Sequence, residues 1–291
     1  MRNGWLILPL VAALMVASSG HAEMLRLEGS ITQGGMIRGK VPPHSQVSYD
    51  GEPLQVSSAG DFVFGFGRDD AAEHELLVIL PDGGRIRRLL QPDPRAYKIE
   101  HVDGVPQETV EPPAHVLKRI RREAALVSQA RQRRDTRVDW APAFIWPAKG
   151  RISGVYGSQR VLNGKPSRPH YGVDVAAPVG TPVVAPADGV VTLAEDDLFY
   201  SGGTIIIDHG HGVSSSFLHL SEVAVTVGQT ILQGERIGAI GATGRASGPH
   251  LDWRMNWHNQ RIDPQLLVPY DPEAMAATRP EHLLLSEHAL E

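Results

Sequence analysis

Short apolar runs cut by turn residues fill both halves of this chain, and a single stretch near its middle keeps a helical period. Thirty glycines and 22 prolines in 291 residues supply the punctuation without any collagen or linker repeat. Such a chain is restricted to many short strands joined by tight turns. Between Leu25 and about Val110, Met36–Val41 stops at Pro42-Pro43, and Val47-Ser48-Tyr49 runs into Asp50-Gly51. Asp61–Phe66 then alternates, and Glu75–Leu80 meets Asp82-Gly83-Gly84. Asp-Gly between alternating runs is a hairpin signal, and strands at this spacing make a small β-sandwich. No catalytic constellation falls in this segment, so it reads as a structural or docking module.

From Trp146 to about Val268 the same pattern returns. Strands are expected at Ile152–Tyr156, Pro182–Ala185, Val190–Ala194, Thr204–Asp208, Val213–Leu220, Ala224–Val227, Arg236–Ile240 and His250–Trp257. Almost nothing here has helical period, which points to an antiparallel β-sheet domain. The fold class is therefore mainly β: an N-terminal β-sandwich-like module, a basic connector helix and a C-terminal antiparallel β-sheet domain. The segments run 1–22 (leader), 23–113 (first module), 114–140 (helix and linker), 141–270 (second domain) and 271–291 (tail). A boundary near Ala141 is expected to leave a β-domain that folds without residues 23–137.

The helical stretch repeats Val116, Leu117, Ile120, Ala124 and Val127 on one face. Lys118, Arg119, Arg121, Arg122, Arg131, Arg133, Arg134 and Arg137 surround them, against only Glu123 and Asp135. The simpler reading is a solvated connector whose apolar stripe packs on a domain. The other is a basic face that meets an anionic wall polymer or lipid headgroups.

Arg2, the apolar run Trp5–Ala17 and the small residues before Glu23 read as a secretory signal peptide cleaved after Ala22. The run is too short to span a bilayer and no later stretch could, so the mature chain has no transmembrane segment. Periplasm is the favoured compartment and free secretion the second. A net charge of −5 excludes a chain that coats nucleic acid. The absence of cysteine excludes disulfide scaffolds, thiol nucleophiles, Cys-ligated zinc and Fe–S clusters together.

Thirteen histidines remain to carry chemistry. His170 and Asp174 are four apart and His250 and Asp252 two apart, so in extended chain each pair shares a face. His219 lies between Leu218 and Leu220 and should project opposite both. Imidazoles and carboxylates together suit Zn²⁺ held by three protein ligands with one open position for water. Zinc there acidifies its water and polarises a carbonyl, as amide hydrolysis requires, while further imidazoles serve as base and oxyanion donor. His209 reads as structural, and nothing in the sequence brings His211 or His258 to the site. Trp253 and Trp257, alternating with Arg254 and Asn256, read as core. Gly241-Ala242-Thr243-Gly244 lacks the Lys-Ser/Thr of a phosphate loop and is a turn.

The ordered set resembles the lysostaphin-type (LytM-type) zinc endopeptidases of bacterial cell walls. The matching stretches are His170-Tyr171-Gly172-Val173-Asp174, Ala177–Val183, Ala187–Val191, Asp208–Gly212, Phe217–Ser221, Gly241–Gly244 and Gly248-Pro249-His250-Leu251. The resemblance implies a compact β-sheet peptidase domain with a groove. It makes His170 and Asp174 the first two metal ligands, and His219 and His250 the catalytic, non-ligating histidines. The family's third ligand is the second His of His-x-His, and here that position is Asp252. A carboxylate there still binds one Zn²⁺, but two carboxylates offset its charge, so Mn²⁺ or Mg²⁺ become acceptable. Restoring histidine at 252 is accordingly expected to raise zinc affinity.

Arg160 and Tyr171 are candidate substrate contacts in the groove. The expected function is an exported metallo-endopeptidase that hydrolyses peptide cross-links in peptidoglycan by a metal-activated water. The alternative is a degenerate member that binds wall peptide or activates another cell-wall hydrolase or envelope partner.

Overall fold

The computed structural model describes residues 24–102, 114–133 and 135–269; the expected leader (1–22) and tail (271–291) lie outside them. The first module has seven strands: β1 (Arg26–Glu28), β2 (Met36–Lys40), β3 (Gln46–Tyr49), β4 (Glu52–Pro53), β5 (Asp61–Gly65), β6 (His74–Ile79) and β7 (Arg85–Leu90). They form two sheets, β1-β2-β5 and β4-β3-β6-β7. The alternation seen in the sequence is the core: Phe62, Phe64, Leu76, Val78 and Ile86 are buried. Asp50 and Gly51 both take positive φ (50° and 80°), which closes the β3–β4 hairpin as the Asp-Gly pair demands.

Strand β8 (Ile99–Val102) leaves this module and pairs in parallel with a strand of the next domain, β10 (Gln159–Leu162). Helix α1 (Leu117–Ala130) follows. Its apolar side is narrow: Val127 and Ala130 pack on Leu193, Leu198 and Ile206, while Ala124 stays exposed. Glu123 is buried and accepts hydrogen bonds from Arg119 Nε (2.5 Å) and the Phe199 amide (2.8 Å). The connector is thus docked on the second domain.

That domain contains β9 (Arg151–Gly154), β10, β11 (Lys165–Pro166), β12 (Val173–Ala176), β13 (Pro182–Val184) and β14 (Gly189–Leu198). It continues through β15 (Gly202–Gly210), β16 (Val213–Val223), β17 (Thr230–Ile231), β18 (Arg236–Ile240), β19 (His250–Trp257) and β20 (Gln260–Ile262). The main sheet runs β17-β14-β15-β16-β19-β12-β9, with β13 and β18 joined through β16 and β20 on β19. The strand expected at Ala224–Val227 does not form. Strand β16 instead extends to Val223, and the next pairing segment is Thr230–Ile231. No helix among the described residues is long and apolar enough to cross a membrane.

The apolar core is continuous between the two β units, running from Phe64 and Val78 to Trp257 and Ile262. Tyr49 meets Trp257 edge-on at 6.0 Å. A Cβ on Gly65 would lie 2.5 Å from Ile262 Cδ1, so the backbone of one unit touches a side chain of the other. Arg95 pairs with the buried Asp263 at 2.8 Å, and Arg68 donates twice to the Gly157 carbonyl.

Candidate metal centre and groove

Strands β12 and β19 are antiparallel neighbours, and their register sets Asp174 directly opposite Asp252 and Ala176 opposite His250. Two carboxylates face to face across a ladder repel unless positive charge lies close by. His170 sits just before β12, fixed by hydrogen bonds of its amide to Ser158 O and of the Gly157 amide to its carbonyl, both 2.8 Å. His170, Asp174 and Asp252 each offer a ligand atom, and these atoms lie within 4.8 Å of one another. Among the described residues this is the one such group of three or more.

His170 Nε2 and Asp174 Oδ1 are buried and stand 3.2 Å apart as a pair, and no other group among the described residues hydrogen-bonds either atom. Buried ligand atoms that converge with no further partner fit a divalent cation. Burial works against a charged His170, yet Asp174 and Asp252 hold its pKa above the ordinary imidazole value. Two glycines keep the space open. A Cβ on Gly154 would lie 2.2 Å from Asp174 Oδ2, and one on Gly172 would lie 2.5 Å from Asp252 Oδ1.

Asp252 has a partner that the sequence reading missed. Arg254, two residues on and therefore on the same face of β19, donates from Nε to both Asp252 oxygens (2.9 and 3.1 Å) and from Nη2 to Oδ2 at 2.5 Å. Burial alone would push the Asp252 carboxyl up, but the Arg254 guanidinium holds it below the usual carboxylate range. The signal was present in the alternation Asp252, Arg254, Asn256 between core residues. It changes the electrostatic balance expected from Asp252 alone. Two carboxylates and one guanidinium carry the same net charge as one carboxylate and two neutral imidazoles. Each carboxylate oxygen keeps lone pairs that Arg254 does not use, so Asp252 remains able to ligate.

His219 and His250 flank the cluster with ring centroids 4.8 Å apart. His219 Nδ1 donates to Thr243 O and His250 Nδ1 to Gly248 O, each at 2.8 Å. Both rings are therefore Nδ1–H tautomers with Nε2 left as acceptor. Burial lowers the pKa of His219. Its side chain does not simply alternate with its neighbours. His219 takes a positive φ of 65°, and both Leu218 and His219 line the groove while Leu220 enters the core. The Gly241–Gly244 turn thus earns its place by presenting the Thr243 carbonyl.

The centre lies in a groove of roughly 2450 Å³. Its floor is the main sheet, one wall is α1 and the other includes β8, β10 and β11. Arg160 is on that second wall, exposed and 3.4 Å from Glu100. Tyr171 is half-buried beside Tyr156, with the Arg261 guanidinium 5.6 Å from its ring centre. His209 is wholly buried. Its Nδ1 donates to Asp188 O (2.6 Å), its Nε2 accepts from Ser215 Oγ (2.8 Å), and burial pushes its pKa down to about 4. His211 packs on Trp140 near the join of the two units, and His258 lines the groove outside the ligand cluster.

Residues 168–264 match the model of peptidase family M23. The chain is 40% identical over 109 residues to the peptidoglycan DD-endopeptidase ShyA of Vibrio cholerae, covering 37% of this chain and 25% of the relative. It is 39% identical over 112 residues to the DD-carboxypeptidase/endopeptidase Mpg of Neisseria meningitidis, covering 38% and 26%. The matches thus span about a quarter of the length of these relatives. A chain of known structure from Pseudomonas aeruginosa, described as a peptidase M23, superposes with a TM-score of 0.63 at 30% identity, covering 82% of this chain and 95% of that one. The likeness to the Pseudomonas chain extends over both β units, and the family match contains all five of His170, Asp174, His219, His250 and Asp252: the protein belongs to peptidase family M23.

Proposed function

We propose that the protein is an exported metallo-endopeptidase that hydrolyses peptide cross-links in bacterial peptidoglycan, acting in the periplasm with Zn²⁺ held by His170, Asp174 and Asp252. The observation that carries this reading is the convergence of three ligand atoms beside two imidazoles, each anchored through Nδ1 to a backbone carbonyl. The names of ShyA and Mpg support the substrate class.

A divalent cation at this position supplies Lewis-acid polarisation of the scissile carbonyl and makes the attacking water more acidic. The remaining work falls to the chain. His219, biased to its neutral form by burial, takes a proton at Nε2 from the attacking water and returns it to the leaving amine. His250 Nε2, 3.8 Å from Asp174 Oδ1, would hydrogen-bond the developing oxyanion in the doubly protonated ring, the second proton coming from solvent and staying on Nε2 through the step. The walls of the groove hold an extended peptide over the sheet, with Arg160 on one rim.

The Arg254 clasp on Asp252 favours a second reading. A guanidinium that already satisfies this carboxylate suits a non-catalytic member that binds wall peptide or activates another hydrolase. The deciding experiment takes the chain from Glu23 onward without a His-tag. Its metal content is measured by elemental analysis, and release of cross-linked peptides from purified peptidoglycan is assayed on the same sample. Near-stoichiometric zinc with chelator-sensitive release is expected. A folded, metal-free protein that binds the wall without cutting it would establish the second reading.

A further inference from the structure

A cluster of arginines lines the groove beside the metal centre, and carboxylates do not balance it. Arg254 is spoken for by Asp252. Ser216 lies opposite Arg254 in the β16–β19 register, and Ser216 Oγ accepts from Arg131 Nη2 at 3.0 Å. Asn256, two residues beyond Arg254 on the same face, lies opposite Arg261 and accepts from its Nη1 at 3.2 Å. Arg131, at the C-terminal end of α1, and Arg261, on β20, are thus brought to either side of Arg254 by neutral side chains. Arg168 also lines the groove.

Neither Arg131 nor Arg261 has a carboxylate partner among the described residues. Arg131 Nε is buried without a hydrogen-bond partner among the described residues. Burial, with Arg261 and Arg254 nearby, pushes the Arg131 pKa down to about 9; burial, with Arg254 and Arg168, pushes that of Arg261 to about 10. Like charges gathered in a part-buried groove are unfavourable unless an anion joins them. A planar fork with a spare N–H edge matches a carboxylate in particular.

We propose that Arg131 and Arg261 form a carboxylate-binding subsite, which selects peptides bearing a free carboxylate next to the bond presented to the metal centre. This rests on the peptidase reading for what is done to the peptide, but the binding itself does not require it. The subsite also gives α1 a task, since the helix delivers one of its two arginines.

The test uses the metal-free full chain from Glu23, with binding read by calorimetry. The probes are a wall-type tetrapeptide with free carboxylates, the same peptide with those groups amidated, and inorganic phosphate. The native chain should prefer the free acid by about tenfold or more, the size of one or two charge-assisted hydrogen bonds. Arg131→Gln and Arg261→Gln should each cut that preference to about threefold or less, with the affinity for the amidated peptide unchanged. Relief of charge crowding should also leave the unliganded Tm of Arg131→Gln at or above that of the native chain. Equal binding of acid and amide by the native chain overturns the proposal. So does an intact preference in both variants, or phosphate competing as well as the acid peptide. A native preference without cleavage by the zinc-loaded protein would sink the peptidase reading and leave the subsite standing; cleavage indifferent to amidation would do the reverse.

Discussion

Asp252 and Arg254 act as a unit, which reverses the expectation that histidine at 252 improves the metal site. Asp252→His would add an imidazole but leave Arg254 facing a dication without its carboxylate. Zinc affinity should therefore fall, by about tenfold given coupling energies of 0.5–3 kcal/mol for contacting pairs. Asp252→His with Arg254→Gln should bind more tightly than Asp252→His alone. Competition against a zinc chelator measures both, and an affinity gain in the single variant would show that Arg254 does not restrain the site. The histidines divide by the same logic. His170→Ala should lose the metal, whereas His219→Ala should keep it and lose hydrolysis, because His219 Nε2 faces the groove without belonging to the ligand cluster. Equal metal loss in both variants would merge the two roles.

At the scale of elements, Gly154 on β9 shows how closely the strands crowd the centre. Gly154→Ala would drive a methyl group into Asp174, so it should weaken metal binding while leaving the sheet's circular dichroism unchanged. In α1, Glu123→Ala removes the acceptor of the Phe199 amide and a partner of Arg119. Loss of about 1–3 kcal/mol is expected, read as a lower denaturation midpoint. The helix itself was legible from its period, as were the long central strands from their apolar runs. Strand β12 was not, because Val-Asp-Val-Ala is too short and too polar to stand out. Its pairing with β19 is what sets Asp174 against Asp252. The five positions proposed for the site came from the ordered motifs. Arg131 and Arg261 could not be read there, since only tertiary folding carries the end of α1 to the strand beside Asn256.

The whole molecule is tied together by a core that no local pattern announces. Residues from Ala141 onward, expressed alone, would expose the edge of Trp257 and Ile262 and leave the buried Asp263 without Arg95. Such a fragment should give poorly dispersed amide spectra and bind a hydrophobic dye, contrary to the expectation from composition; sharp dispersion would show that the shared core is dispensable. Acid exposes a further division between the units. In the second domain His209 is buried neutral with a pKa near 4, so the unfolded chain takes up its proton first. The stability this gives is complete above the ordinary imidazole value and drains away as pH falls toward 4, a loss of about 3 kcal/mol by linkage. In the first module His74 behaves oppositely. Burial disfavours its charge, but Asp50 (2.7 Å) and Asp70 (2.9 Å) accept from its two ring nitrogens and raise its pKa. Its contribution is complete below the ordinary imidazole value and is lost as pH rises through the raised one. His74→Gln should therefore steepen the fall of Tm between pH 7 and 4.5, and His209→Gln should flatten it. Parallel Tm–pH profiles for the two variants would mean that neither proton is linked to folding.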